Sequence, residues 1–211
     1  MNDSQSDSEL LKWVLKDTGI NYDGAGMVGQ TDFNRLSVTG KAAELALSGR
    51  CYHFAMIQEA GYGYAGGDIW EAETKALAEP APITIWQLPY GSLSNGKKMT
   101  NTLGEPLSIV PLAKKLGWKT LGVIAPEFHL PRAVMSYITV ALAEYPELKI
   151  YGILGLALDP KEKVVHSQGI LEATREELIE LERQKIEEYI HRGWLASYAA
   201  AMQYLDQRDA R

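Results

Sequence analysis

Three observations predict an α/β fold, a mainly parallel sheet covered by helices on both faces, with further helices at the C-terminus. Apolar runs of strand length recur at 52–57, 82–88, 119–125 and 148–154. Segments with helical spacing separate them, and a glycine-rich or polar loop follows each of the first three. Strands alternating with helices build βαβ units, whose parallel strands place every strand-to-helix loop at one edge of the sheet. A chain of 211 residues is long enough to enclose a full core as one domain.

Taken in order, 9–17 is read as a short helix within an N-terminal extension, 1–20, with Leu10, Leu11, Val14 and Leu15 at helical spacing. The α/β domain is expected over 21–160. Ala25-Gly26-Met27-Val28 is a weak strand by composition. RLSVTGKAAELAL (35–47) suits a helix stopped by Gly49. The helix over 69–77 is expected to use Asp68 as N-cap, with Glu71 completing a capping-box-like pair. Pro111 should lie in the first turn of a helix starting near Ser108 and closing at Gly117, because a proline ring clashes with the turn before it. Residues 131–145 form the helix after the 119–125 strand. The tail, 161–211, reads as a helical extension packing on the domain. ILEATREELIELERQKIEEYIHR is a charged helix broken at Gly193, and the next helix places Trp194, Tyr198, Met202 and Leu205 on one face.

Composition narrows the function. A net charge of -6 argues against a nucleic-acid-coating role, which needs a positive field. A single cysteine, Cys51, rules out an intrachain disulfide framework and makes the reducing cytoplasm the expected location. The polar, acidic start lacks the pattern of a signal peptide. No apolar run approaches the ~20 residues that span a bilayer, so no membrane partner is expected.

Three loops carry chemistry-bearing residues. In VIAPEFHLPRA (123–133), Pro131 suits the first helical turn, which puts His129 near the cap and Arg132 three residues on. A helix N-terminus joined by Arg132 makes an anion site, and His129 can exchange protons near neutral pH. The alternative is that His129 caps the helix while Arg132 pairs with Glu127 or a C-terminal glutamate. The loop KKMTNTLGE offers Lys97, Lys98, Thr100, Asn101, Thr102 and Glu105, as ligand contacts or as turn and cap residues. GYGYAGGDIWEAE lets backbone approach a ligand closely but does not match a dinucleotide fingerprint. His53, His129, His166 and His191 lack metal-ligand spacing, so no metal centre is expected; a magnesium site would need Asp68, Glu71 and Glu127. No G-x-S-x-G elbow supports a nucleophilic serine.

Together and in order, RLSVTGKAAEL, GGDIWEAE, MTNTLGEPL and VIAPEFHLPRA resemble the YdcF-like family, which includes ElyC- and SanA-type domains of bacterial envelopes. The resemblance covers roughly 30–155. It implies a Rossmann-like three-layer α/β/α sandwich with a polar pocket at the carboxyl edge of the sheet. Carried over, the family's motif residues fall on Arg35, on Gly66, Gly67 and Glu71, on Asn101 and Thr102, and on His129, Arg132 and Ala133. The family's Glu-Asn pair appears here as Glu105-Pro106. Some members are described as binding S-adenosylmethionine.

The expected function is a hydrolase or transferase acting on a phosphorylated or nucleotide-like small molecule. Arg132 and Arg35 would neutralise the anion, Asn101 and Thr102 would orient it, and Gly66 and Gly67 would approach it through backbone. His129 would transfer the proton, and Glu71 would set its tautomer or bind a substrate hydroxyl. The alternative is a non-catalytic domain binding a nucleotide-like ligand such as S-adenosylmethionine. A scaffold acting through the C-terminal helices is a third class.

Overall fold

The computed structural model describes residues 19–61, 63–166 and 171–210. The helix expected over 9–17 lies outside them. Five strands, β1 (Gly24–Met27), β2 (His53–Ile57), β3 (Thr84–Leu88), β4 (Thr120–Ala125) and β5 (Lys149–Leu154), form one sheet in the order β3-β2-β1-β4-β5. Every pairing is parallel. Helices α1 (Arg35–Leu47), α2 (Gly67–Ala78), α3 (Pro106–Leu116) and α4 (Leu130–Glu144) connect them. The fold is therefore the Rossmann-like α/β arrangement.

Alternate strand residues enter two separate cores, as the period of two along a strand requires. Leu121, Val123 and Ala125 join the core that holds buried residues of α3 and α4. Ile124, with Ala25 and Met27, joins the core that holds buried residues of α1 and α2. The weak composition of β1, GAGM, has a packing cause. A Cβ at Gly24 would come within 2.3 Å of the Trp118 ring, and one at Gly26 within 2.4 Å of the Tyr137 hydroxyl. Two aromatic side chains occupy the space that β-branched residues fill in an ordinary central strand.

The chain runs outward from β1 through β2 to β3, then returns to place β4 and β5 on the other side of β1. The loops leaving the carboxyl ends of β1 and β4 thus diverge to opposite faces of the sheet. Ligands of open α/β sheets bind at such a switch point.

Four elements differ from expectation. The last helix starts at Tyr198, which leaves Trp194 before it instead of on its face. Helix α3 starts at Pro106, so Pro111 lies inside it and removes one i→i−4 bond. Helix α2 starts at Gly67 after Gly66, and no side chain caps it; Asp68 and Glu71 both accept from Gln87 instead. The charged helix of the tail begins only at Arg175. Strands β6 (Lys163–His166) and β7 (Leu171–Thr174) form an antiparallel hairpin. Helix α5 (Arg175–His191) then begins at a true capping box, in which Thr174 and Glu177 satisfy each other's backbone N–H groups.

Helix α5 is tied to the switch point. Arg175 donates to Asn34 Oδ1 at 2.8 Å and to the Phe33 carbonyl at 2.9 Å, both in the turn that follows β1. Thr31 Oγ1 donates to the Val165 carbonyl at 2.6 Å. Helix α6 (Tyr198–Ala210) closes the open edge of β5. Tyr204 Oη accepts from Ile150 N–H at 2.8 Å, and Arg208 Nη1 donates to Ile150 C=O at 2.8 Å. An edge strand whose backbone groups are taken up by side chains is poorly available to another chain. No helix among the described residues is long and apolar enough to cross a membrane.

Candidate functional site

A cavity of about 270 Å³ opens at the switch point. The loop after β1 contributes Gly29, Gln30 and Thr31, and the loop before α3 contributes Thr100, Asn101, Thr102 and Glu105. Helix α4 and its N-cap add His129 and Arg132, while the tail adds His166, Lys185 and Tyr189.

The organising group is Glu182 on α5, only 1% exposed. Arg132 grips its carboxylate at both oxygens, from Nε to Oε2 at 2.5 Å and from Nη2 to Oε1 at 3.1 Å. His129 Nδ1 lies 2.7 Å from Oε2, His166 Nε2 lies 2.9 Å from Oε1, and Lys185 Nζ donates to Oε1 at 3.0 Å. Burial pushes the Glu182 carboxyl upward, but Arg132 and His129, with hydrogen bonds from His129 and His166, outweigh it. The group is held well below the usual carboxylate range.

These contacts settle the His129 tautomer. Two lone pairs cannot face each other at 2.7 Å, so Nδ1 carries the proton and donates to ionised Glu182. Nε2 is then an acceptor, 3.3 Å from Thr102 Oγ1. Thr102 Oγ1 already accepts from Arg132 Nη1 at 2.9 Å, which leaves its own hydrogen for His129. The result is a hydroxyl, an imidazole and a carboxylate in series, the order that general-base catalysis uses. Burial, with Arg132 and His166 close by, lowers the His129 pKa to about 4 despite Glu182, so the ring is neutral at pH 7. His129 is the N-cap residue of α4, yet its side chain makes no cap bond.

Glu105 behaves oppositely. It is 3% exposed and accepts from Gly29 N–H at 3.2 Å. Burial, offset only in part by that bond and by Arg132, raises its pKa from 4.5 to about 8. At neutral pH the pocket therefore pairs a proton-holding carboxyl with an unprotonated imidazole, the division of labour that acid–base chemistry needs. A stability prediction follows from the signs. Between pH 4.5 and 8 the folded chain keeps a proton on Glu105 that the unfolded chain has lost, so stability falls as pH rises. His129 acts the other way between pH 4 and 6.5, where the unfolded ring is charged and the folded ring is not. The two oppose each other up to pH 6.5, above which the Glu105 effect stands alone. Urea unfolding should show a loss of about 2 kcal/mol from pH 6.5 to 8, and Glu105→Gln should flatten that limb.

The structure brings together His129, Arg132, Asn101 and Thr102, all on the cavity wall. It does not bring Arg35, Glu71, Gly66 or Gly67 there. Arg35 Nε donates to Glu73 Oε2 at 3.0 Å and Nη1 to Asp32 at 3.2 Å, joining α1 to α2. Glu71 accepts from Lys75 at 2.5 Å and Gln87 at 2.7 Å, bonds that lower its pKa. Gly67 is a packing glycine, since a Cβ there would meet Gln87 Oε1 at 2.3 Å. Gly66, at φ 101°, supplies a left-handed turn into α2. The tautomer of His129 is set by Glu182, not Glu71.

His129, His166 and Glu182 have ligand atoms within 4.8 Å of one another, which a metal ion could use. Of the three acidic residues considered for magnesium, Asp68 and Glu71 bind Gln87 instead, and Glu127 lies on the wall of a different cavity. Around Glu182, however, both oxygens already accept from Arg132, and Oε1 also from Lys185. Each like-charge pair at 4 Å costs about 4 kcal/mol per unit charge at an effective dielectric near 20. The donor set suits an anion better than a further cation.

Comparison with protein-family models, curated proteins and solved structures found no match. The site must be read from its own chemistry.

The alternative that Arg132 pairs with a C-terminal glutamate is the one observed, with Glu182, not Glu127, as the partner. Sequence reasoning did not single out Glu182 itself, and it missed His166 and Lys185. For Glu182 a signal exists: Leu178, Glu182 and Ile186 are spaced four apart and are buried on one face of α5. A carboxylate at the centre of an apolar stripe is a buried ion awaiting a partner. His166 carries no such mark, because the hairpin that positions it lies in a stretch whose sequence reads as part of a helical tail.

Proposed function

We propose that the chain is a hydrolase or transferase acting on a small phosphorylated molecule held in the switch-point cavity. The observation that carries this reading is the convergence of His129, His166, Arg132 and Lys185 on one buried carboxylate at the cavity wall. Arg132 and Lys185 exceed Glu182 by one positive charge when Glu105 is protonated, so the pocket favours an anion. His129 Nε2 takes the proton of an attacking water or acceptor hydroxyl, directly or through Thr102, and Glu182 stabilises the imidazolium that forms. Glu105 supplies a proton to the departing oxygen as the phosphorus–oxygen bond breaks, and solvent restores both groups. A bound phosphate raises the His129 pKa, bringing a weak base toward the working range when substrate is present.

The alternative, a non-catalytic domain for a nucleotide-like ligand such as S-adenosylmethionine, fits less well. A volume of about 270 Å³ is below the ~300–1,000 Å³ usual for ligand pockets. A sulfonium would also face Arg132 and Lys185. The residues do not fit that group.

A thermal-shift screen of phosphate esters, followed by assay for phosphate release or transfer, tests the reading. A ligand at 100 times its dissociation constant should add ~2.7 kcal/mol of stability. No shift with any phosphate ester would reject the proposal.

A further inference from the structure

One of the residues lining the cavity, Gln30, carries a buried polar atom whose hydrogen bonding is incomplete. Gln30 is 5% exposed, and its buried Oε1 has no hydrogen-bond partner among the described residues. Buried Trp70 Nε1 and Tyr137 Oη share that condition but belong to residues outside the cavity wall. A buried acceptor left unpaired carries a desolvation cost that a correctly placed donor removes.

Gln30 is held where it is. Val28 N–H donates to the Ile124 carbonyl at 3.1 Å, and Gly29 N–H donates to Glu105. Thr31 is bonded to the hairpin, and Asp32 N–H donates to the Gly63 carbonyl at 2.9 Å. Both flanks of Gln30 are therefore fixed to β4, α3, β6 and the glycine-rich loop, while its own amide oxygen is not engaged. The wall carrying it belongs to the loop after β1, whereas the cations belong to α4 and α5.

We propose that Gln30 accepts a hydrogen bond from a hydroxyl group of the bound molecule, so that the pocket selects a hydroxylated phosphate ester, of the polyol or sugar phosphate class, over bare or alkyl phosphate. This rests on the anion-binding reading given above. Arg132 and Lys185 disfavour a protonated amine, whereas a hydroxyl is a small neutral donor compatible with the same cavity and with an anionic phosphate beside it. Its size suits a short polyol phosphate.

Isothermal titration of the full chain with inorganic phosphate, propyl phosphate and glycerol 3-phosphate tests the proposal. Glycerol 3-phosphate should bind at least about fivefold more tightly than propyl phosphate, the effect of one net hydrogen bond. Gln30→Met, close in shape but without the amide, should bring the two within about twofold and leave propyl phosphate affinity unchanged. The wild-type ranking is informative even if the variant folds poorly. Equal binding of the two esters by wild type, or an undiminished preference in a folded Gln30→Met, overturns the role of Gln30 while leaving the anion site standing. Binding of none of the three overturns the anion site itself.

Discussion

Glu182→Gln is expected to destabilise the fold by about 3–5 kcal/mol, the usual result of removing one partner from a buried ion pair. Arg132 is 5% exposed and directs two of its nitrogens at this carboxylate, so neutralising it leaves a guanidinium in the interior without its counter-charge. His129 and His166 lose the acceptor that orients them. The effect should depart from additivity: Glu182→Leu combined with Arg132→Met removes both buried charges and should cost less than the sum of the two single changes. Urea unfolding of the four proteins at pH 7 checks this. The ionised carboxylate also stabilises the fold at every pH above its unfolded value. That contribution is lost progressively as pH falls from the unfolded value through the folded one, which lies well below the ordinary range.

His129→Ala should lower turnover of whichever phosphate ester the screen identifies by about 10²–10⁴-fold, the range for loss of a positioned acid–base group. Ligand affinity should change far less, because the anion is held by Arg132 and Lys185. Steady-state kinetics set beside direct titration separate the two quantities. Equal loss of binding and turnover would make His129 a structural member of the Glu182 cluster. No change in either would leave it without a functional role.

The fold was legible because its main signals are local. The apolar runs behind β2, β3, β4 and β5 are short and each is followed by a loop, and Pro131 marks the start of α4. What was hidden depends on tertiary packing. Strand β1 is poor in strand-forming residues because Trp118 and Tyr137 fill the space beside it. The β6–β7 hairpin was hidden by the helix-forming composition that continues from it into α5.

The candidate site was half legible for the same reason. His129, Arg132, Asn101 and Thr102 lie in loops at sheet carboxyl ends, where topology alone brings them together. Arg35 and Glu71 are equally polar and equally close to such loops, but each has an ion-pair partner on α2, Glu73 for one and Lys75 for the other. Which charged group finds a local partner, and which turns to the crevice, is decided by side-chain reach and not by position along the chain. Glu182 lies fifty residues beyond Arg132. It reaches the cavity only because Arg175 and Thr31 tie the tail to the turn after β1.

The central claim is that His129 is a buried neutral base, held by Glu182 and exposed to an anion bound beside Arg132. Titration of the histidine ring by nuclear magnetic resonance, with and without saturating inorganic phosphate, tests it most directly. The imidazole should carry its proton on Nδ1, remain neutral down to about pH 4 in the free protein, and move its midpoint upward when phosphate binds. A ring that titrates near 6.5 and ignores phosphate would contradict the account.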